Sequence, residues 1–383
     1  MTAPALSWAD VCARRLARHG LAAPGAVEPA DVAGRICGAH AQIITAGELS
    51  LGIRTTGTTR AGVRAALWSE RSLVKTYGPR GTVHLLRTAD LAMWTGALAA
   101  VPQAPGGWPD EVRLTHDQTE EVVQAIGAAL RDDELTVDEL DEAVAASAGP
   151  WAADPVLPAW ESNWPRWRQA MHTAAHRGAL CFGANRGRRV TYTHPHRWLP
   201  GFTPLDGPTA LRRLVHDYLH AYGPATPAQF ARWLAAPTPW AVDLFEQLAG
   251  QIVPVDVDGD VAWQVAGDDA ATEPPRGVRL LPYFDAYAVG CHPRERVFPG
   301  AAADRALSGG QAGNFPVLLV DGVVAGVWHQ RRAGRHLHVT VEPLRRLTAA
   351  HRRALDVQVA RIGTFFGAEP ELTIGEVTVG GHR

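Results

Sequence analysis

The chain has 383 residues, of which 46% are hydrophobic and 20% charged, and its formal net charge at pH 7 is −2. That length and apolar content exclude a disordered or fibrous protein and lead to an expectation of two to four globular units. The near-zero charge excludes a globally basic nucleic-acid binder, so any positive field has to come from arginines gathered on one face.

The start, MTAPALSWADV, lacks a charged segment followed by an apolar one, and no run is apolar for the roughly eighteen residues that a membrane helix needs. A cytoplasmic protein with no membrane partner is expected. Helices are predicted from about Trp8 to His19 and from Pro29 to Gly38. A capping box of Thr45 and Glu48 is predicted to open a helix near 46–54, and Thr59 to cap another through Ser69. A hairpin follows, Leu73 to Tyr77 and Thr82 to Leu86, around the turn Gly78-Pro79-Arg80-Gly81, and then a helix from Ala89 to Ala99.

After a Pro/Gly-rich linker from Pro102 to Pro109 the plan recurs. Helices are expected near 116–131, 137–147 (box Thr136 to Glu139) and 163–177, with Trp164 and Trp167 in the core, then strands 179–184 and 188–193 around Asn185-Arg186-Gly187. A third copy has helices near 208–222, 227–235 and 239–249 and strands 251–257 and 260–266 about Asp258-Gly259. Three helices followed by a hairpin is the order of a winged helix, whose helix-turn-helix enters a groove while the wing touches backbone. Beyond residue 275 the texture changes. Strands are predicted at Val278–Val289, Phe315–Val320, Val323–His329 and His336–Val341, with a last helix from Thr348 to Phe366. The expected fold class is therefore α+β: tandem winged-helix units at 1–101, 110–200 and 205–270, and a small β-barrel or sheet at 275–383.

Cys12, Cys37, Cys181 and Cys291 are far apart and form no CxxC pair, which argues against zinc and against a disulfide framework. Lys75 is the only lysine beside 36 arginines. An enzyme that cuts DNA backbone through a Schiff base would have to use Lys75 or the N-terminus. Candidate phosphate contacts are Lys75 and Arg80 on the first wing, Arg186, Arg188 and Arg189 on the second, and Arg331, Arg332 and Arg335 in a turn between C-terminal strands, a hairpin suited to the minor groove. Between the first two helices of the first winged unit lies His40-Ala41-Gln42. In extended backbone, residues two apart share a side, so His40 and Gln42 form a candidate polar pair.

The stretches CGAHAQIITAGELSLGIR and ALWSERSLVKTYGPRGTVHLL resemble the opening of the AlkZ/YcaQ-like winged-helix DNA glycosylases. The resemblance continues through HAYGPATPAQFARWL, LLPYFDAYAVGCHPRERV and PVLLVDGVVAGVW, and so covers most of the chain. It implies three winged helices plus a β-barrel, no metal or other cofactor, and a monofunctional enzyme that removes N7-alkylated purines from double-stranded DNA and unhooks crosslinks made by alkylating natural products. The family motif is Gln, an aliphatic residue, then Gln or Asp. Ala41 and Gln42 match its last two positions, and His40 stands where Gln is common.

The chemistry suits such a pair. An N7-alkylguanine is already cationic, so the enzyme has to stabilise an oxocarbenium-like sugar and place a water at C1′. Neutral Gln42 can orient that water and His40 can bind or deprotonate it; alternatively, protonated His40 contacts phosphate or lesion and Gln42 alone holds the water. A His in the first position points to bulky, intercalating N7-guanine adducts and self-resistance in a producer organism. The competing class is a non-catalytic winged-helix regulator, which would present a two-fold recognition unit and needs no polar pair there, whereas the enzyme is expected to be a monomer. A metal-dependent nuclease lacks a carboxylate cluster. Asp285 is read as a buried aspartate that satisfies a turn.

Overall fold

A computed structural model describes residues 5–102, 107–159, 162–268 and 273–382. The chain divides into two compact units, one of residues 1–66, 215–233 and 237–383, the other of residues 67–214 and 234–236. In chain order, three helices and then two paired strands occur in each of the three stretches, but the short strand Ala39–His40 falls between helices in the first, Leu135–Thr136, Pro155–Pro158 and Asn163–Pro165 fall between them in the second, and the lengths differ from expectation in both.

In the first copy the helices are Pro29–Arg35, Ile44–Gly52 and Arg60–Trp68, and the strands Leu73–Tyr77 and Val83–Arg87 pair antiparallel from Leu73↔Arg87 to Tyr77↔Val83. The Thr45–Glu48 capping box does not form. The second helix starts at Ile44 with Ile43 as its uncapped N-cap, because Glu48 is spent elsewhere: it is 1% exposed and ion-paired with Arg60 (2.5 Å) and Arg64 (2.7 Å) of the next helix. A buried carboxylate is tolerated only when paired, and that requirement outweighs a cap.

The second copy opens as expected. His116–Leu130 and Val137–Ala148 carry capping boxes from Thr115–Gln118 and Thr136–Glu139. The expected helix over 163–177 is shorter. Asn163–Pro165 is a strand, a 3-10 turn runs through Arg166–Ala170, and only Met171–His176 is α-helical. Pro165 forces its predecessor into extended backbone. Trp164 is consequently 49% exposed, while Trp167 is fully buried in the core. The paired strands contract to Cys181–Phe182 and Thr191–Thr193. Within the expected linker, residues 103–106 lie outside the described residues.

The third copy matches closely, with helices Gly207–Tyr222, Pro227–Leu234 and Thr238–Gln247 and an antiparallel hairpin of Ile252–Val257 with Asp260–Val265. Arg15, on the first helix Trp8–Arg18, is 1% exposed and anchors the surrounding segments by donating to the carbonyls of Tyr222 (2.8 Å), His292 (2.7 Å) and Pro224 (3.1 Å). Arginine's fixed fork of donors suits this, since three buried carbonyls are satisfied by one group.

The C-terminal region is a five-stranded sheet in sequence order: Val278–Leu281, Val317–Val320, Val323–Ala333, His336–Pro343 and Glu369–Ile374. The first three pairings are antiparallel. The last is parallel, because the helix Ala349–Phe366 crosses over between its two strands. Sequence reasoning anticipated a small β-barrel or sheet; among the described residues the first and last strands do not pair, so it is an open sheet and not a closed barrel. It also anticipated a strand through Val289. The strand stops at Leu281, Pro282 breaks the ladder, and Asp285 caps the short helix Ala286–Gly290.

The crossover helix seats the segment that carries the candidate site. A Cβ on Gly52 would lie 2.3 Å from the Phe365 ring, so only glycine allows the helix Ile44–Gly52 to pack against it, and Arg361 donates to the carbonyls of Ile53 and Thr55 (2.9 and 3.1 Å).

Candidate active site

The helix Pro29–Arg35 ends in a left-handed turn at Cys37 (φ +55) and Gly38 (φ +93), where the Gly38 amide donates to the carbonyl of Ala33 (2.8 Å). This closure satisfies the orphan carbonyls of the helix end and turns the chain into the extended pair Ala39–His40. Ala39 and Ala41 are buried, His40 is 8% exposed, and Gln42 is exposed. Gly47 lets the following helix close over this segment, since a Cβ there would lie 2.9 Å from the His40 carbonyl oxygen.

The backbone amide of Gln42 donates to His40 Nδ1 at 3.4 Å, a long bond. In a neutral ring that bond places the proton on Nε2, so His40 can offer one N–H donor while the Gln42 side chain brings its own carbonyl and amide. The imidazole stacks on the Phe284 ring, with centroids 4.6 Å apart and planes 25° apart, and Phe284 in turn meets His382 edge-on at 5.7 Å.

Asp285, next to Phe284, anchors this arrangement. Its carboxylate accepts from Arg54 Nη1 and Nη2 (both 2.8 Å), from Ser50 Oγ (2.7 Å) and from the Tyr287 amide (3.0 Å). Both partners of the ion pair are fully buried. Burial alone would raise the pKa of Asp285; the Arg54 charge and the hydrogen bonds from Arg54, Ser50 and Tyr287 outweigh it and hold the carboxyl below its ordinary value. Asp285 thus is the turn-satisfying aspartate anticipated. The Arg54 partner and the Phe284 stack were not anticipated. Pro282 and a capping aspartate within one apolar run were the available signal for a break there.

The likeness read in separate stretches of sequence extends across most of the chain. The family model for DNA glycosylase AlkZ-like proteins matches residues 33–365. The chain belongs to the AlkZ-like DNA glycosylase family. A curated relative, an interstrand DNA cross-link repair glycosylase of Streptomyces sahachiroi, is 31% identical over 331 residues, which is 84% of this chain and 87% of the relative. A solved structure, the Streptomyces sahachiroi DNA glycosylase AlkZ, shares the mixed α+β fold with a TM-score of 0.85 at 28% identity, covering 97% of this chain and 100% of that one.

In this AlkZ-like chain the candidate DNA-binding residues differ in what already holds them. Lys75 lies on the first strand of its hairpin, as expected, with its ammonium 4.1 Å from the Phe182 ring centroid, and burial lowers its pKa. Arg80 sits at the tip of the same hairpin in left-handed backbone (φ +63) and is partly exposed. Arg186 pairs with Glu139 (3.0 Å) and Arg189 with Asp138 (3.6 Å), whereas Arg188 is exposed and makes no ion pair among the described residues. Arg331, Arg332 and Arg335 are exposed or half-exposed at the end of the Val323–Ala333 and His336–Pro343 hairpin. Arg332 donates to Gly334 and Phe366 carbonyls, and Arg335 lies 3.5 Å from Glu369. Such exposed pairs are worth about 0–1 kcal/mol, so exchanging them for a phosphate costs little.

One buried histidine sets an acid limit on the fold. His19 is 1% exposed, packed edge-on against Tyr222 and Tyr287, and burial first, then the Arg54 charge, push its pKa down to about 3. The folded value lies below the ordinary histidine value of about 6.5, so the stabilisation is complete above that pH and is lost as pH falls from there towards the folded value. Melting temperature is expected to fall between about pH 6.5 and pH 4.5, with a shallower slope in His19→Phe; an unchanged slope in that variant would move the effect to other groups.

Proposed function

We propose that this chain is a monofunctional DNA glycosylase that hydrolyses the N-glycosidic bond of N7-alkylguanine, above all where the adduct is bulky, intercalating or part of an interstrand crosslink. The observation that carries the reading is the His40–Gln42 pair at the position of the family motif, held by the Gln42 amide on one side of the imidazole and stacked on Phe284. The cross-link repair activity of the Streptomyces sahachiroi relative supports the lesion class.

The leaving base needs little acid help, because alkylation has already made it cationic. The remaining work is to hold a water against C1′ and to stabilise the sugar as positive charge develops. His40 and Gln42 orient that water, and His40 Nδ1, once its long bond from the Gln42 amide gives way, takes its proton as the bond forms; water's oxygen ends on C1′ and the neutral base leaves with the glycosidic electron pair. Lys75, the only lysine, is engaged on the Phe182 ring, which supports hydrolysis without Schiff-base cleavage of the strand. No metal or cofactor is assigned to the reaction. The histidine in the first motif position supports a specialised, self-protective role in a cell that makes or meets DNA-alkylating natural products.

Residues 1–101, 110–200 and 205–270 are read as tandem winged helices and residues 275–383 as the fourth domain, a monomer bound along double-stranded DNA. The recurring order of three helices and a hairpin supports this. The arginines of the 331–335 turn supply the minor-groove interaction, with the second wing's arginines on phosphates. Affinity for duplex DNA is then expected to weaken from about 50 to about 300 mM salt, and Arg331→Ala with Arg335→Ala to lower the salt slope by about one for each phosphate no longer bound. Equal affinity at both salt concentrations would remove the arginines from the interface.

The activity itself is tested on a duplex carrying an N7-guanine interstrand crosslink, incubated with the protein in EDTA and run on a denaturing gel. Release of separate strands is expected; crosslinked duplex that persists despite binding contradicts the proposed function.

A further inference from the structure

Phe284 has a backbone φ of +53, the left-handed region that a bulky side chain avoids, and it is the one aromatic among the described residues with positive φ. Glycine would occupy the position without strain. Nor does burial account for the phenylalanine, because its side chain remains partly exposed.

The surroundings over-determine the strained conformation. The Phe284 amide donates to the Gly313 carbonyl (3.0 Å), and Gly313, itself at φ +111, leaves the room the ring occupies: a Cβ there would lie 2.5 Å from Phe284 Cδ1. On the other side Asp285 is locked to Arg54 and Ser50. Ser50 lies in the helix Ile44–Gly52 and Arg54 just after it, in the same segment that follows Gln42. The strained residue and the candidate catalytic segment are therefore fixed to one another by a buried ion pair, and the product of that fixation is the ring stack on His40.

We propose that Phe284 is a positioning residue, held in a costly backbone conformation so that its ring sets the plane of the His40 imidazole. Strain of this kind persists where the surrounding structure imposes it and function uses it. The stack adds a constraint on the imidazole plane to the long bond from the Gln42 amide, and turning that plane would misdirect both ring nitrogens relative to the water that His40 and Gln42 share. The inference rests on the role of His40 given above.

The test compares wild type, His40→Ala, Phe284→Gly, Phe284→Leu and Phe284→Tyr in single-turnover excision of a defined N7-alkylguanine from a duplex, beside their melting temperatures. Phe284→Gly relieves the backbone and removes the ring. Its melting temperature is expected to equal or exceed that of wild type, while the rate at saturating enzyme falls by about 10- to 100-fold and the enzyme concentration for half-saturation stays unchanged. Phe284→Leu, which keeps bulk without a flat face, is expected to lose rate in the same way, and Phe284→Tyr to restore it. Full rate in Phe284→Gly, with His40→Ala inactive, overturns the positioning role alone. Full rate in His40→Ala overturns the role of His40 and this inference with it.

Discussion

Asp285→Ala is expected to destabilise the protein by about 3–5 kcal/mol, measured by chemical denaturation at neutral pH. The pair it breaks is fully buried on both sides, so the substitution leaves the Arg54 guanidinium charged, desolvated and without its carboxylate. It also leaves the Ser50 hydroxyl and the Tyr287 amide without their acceptor, and removes the cap of the helix Ala286–Gly290. Most of the loss is the penalty of the stranded charge rather than the worth of the pair. The double variant Arg54→Met, Asp285→Asn removes both charges and keeps a capping side chain, and is therefore expected to be less destabilised than Asp285→Ala alone. A double variant worse than the single one would mean that the ion pair is net stabilising by itself. Because the folded pKa of Asp285 is depressed, the contribution is complete above the ordinary aspartate value of about 3.9 and is lost only as pH falls below it, at the acid end of the range in which His19 acts.

His40→Ala and Gln42→Ala are each expected to slow single-turnover excision by about 10²- to 10⁴-fold, with DNA affinity little changed. The two variants differ in what they leave behind. Without Gln42 the water loses a neutral donor and acceptor, and the imidazole remains to bind it. Without His40 the proton acceptor is gone and Gln42 can orient water but cannot deprotonate it. His40→Gln separates the roles: it restores a neutral pair of the family's common type that can orient water but cannot take its proton, so only part of the rate is expected to return. Full activity in His40→Ala with an inactive Gln42→Ala would leave Gln42 as the only water-holding side chain and assign His40 to phosphate or lesion.

The elements most legible in sequence were those whose signals are local. Thr136 with Glu139 and Asp258-Gly259 between two predicted strands act within a few residues, and the structure places the corresponding helix and hairpin where they were expected. Misreadings arose where a distant partner decided. Glu48 has the spacing of a capping residue but is claimed by Arg60 and Arg64, and the run from Val278 to Val289 has strand composition but is broken because Asp285 is tied to Arg54, 231 residues away in sequence. The open edge of the C-terminal sheet has a similar cause, since the crossover helix, itself predicted, delivers a parallel strand, Glu369–Ile374, that no local pattern announced. At the candidate site, His40 and Gln42 were legible through a motif of three residues. Phe284 was not, because a positive φ in an aromatic and a stack between residues far apart in sequence leave no periodic trace.

The most direct test of the central claim is mass spectrometry of the products when purified protein, in EDTA, meets a duplex with one N7-alkylguanine, methylated or bulky. Intact modified base in solution, and a DNA strand that stays whole until heat or alkali opens the abasic site, is the predicted result. Duplex bound but no free base released from either adduct would contradict it.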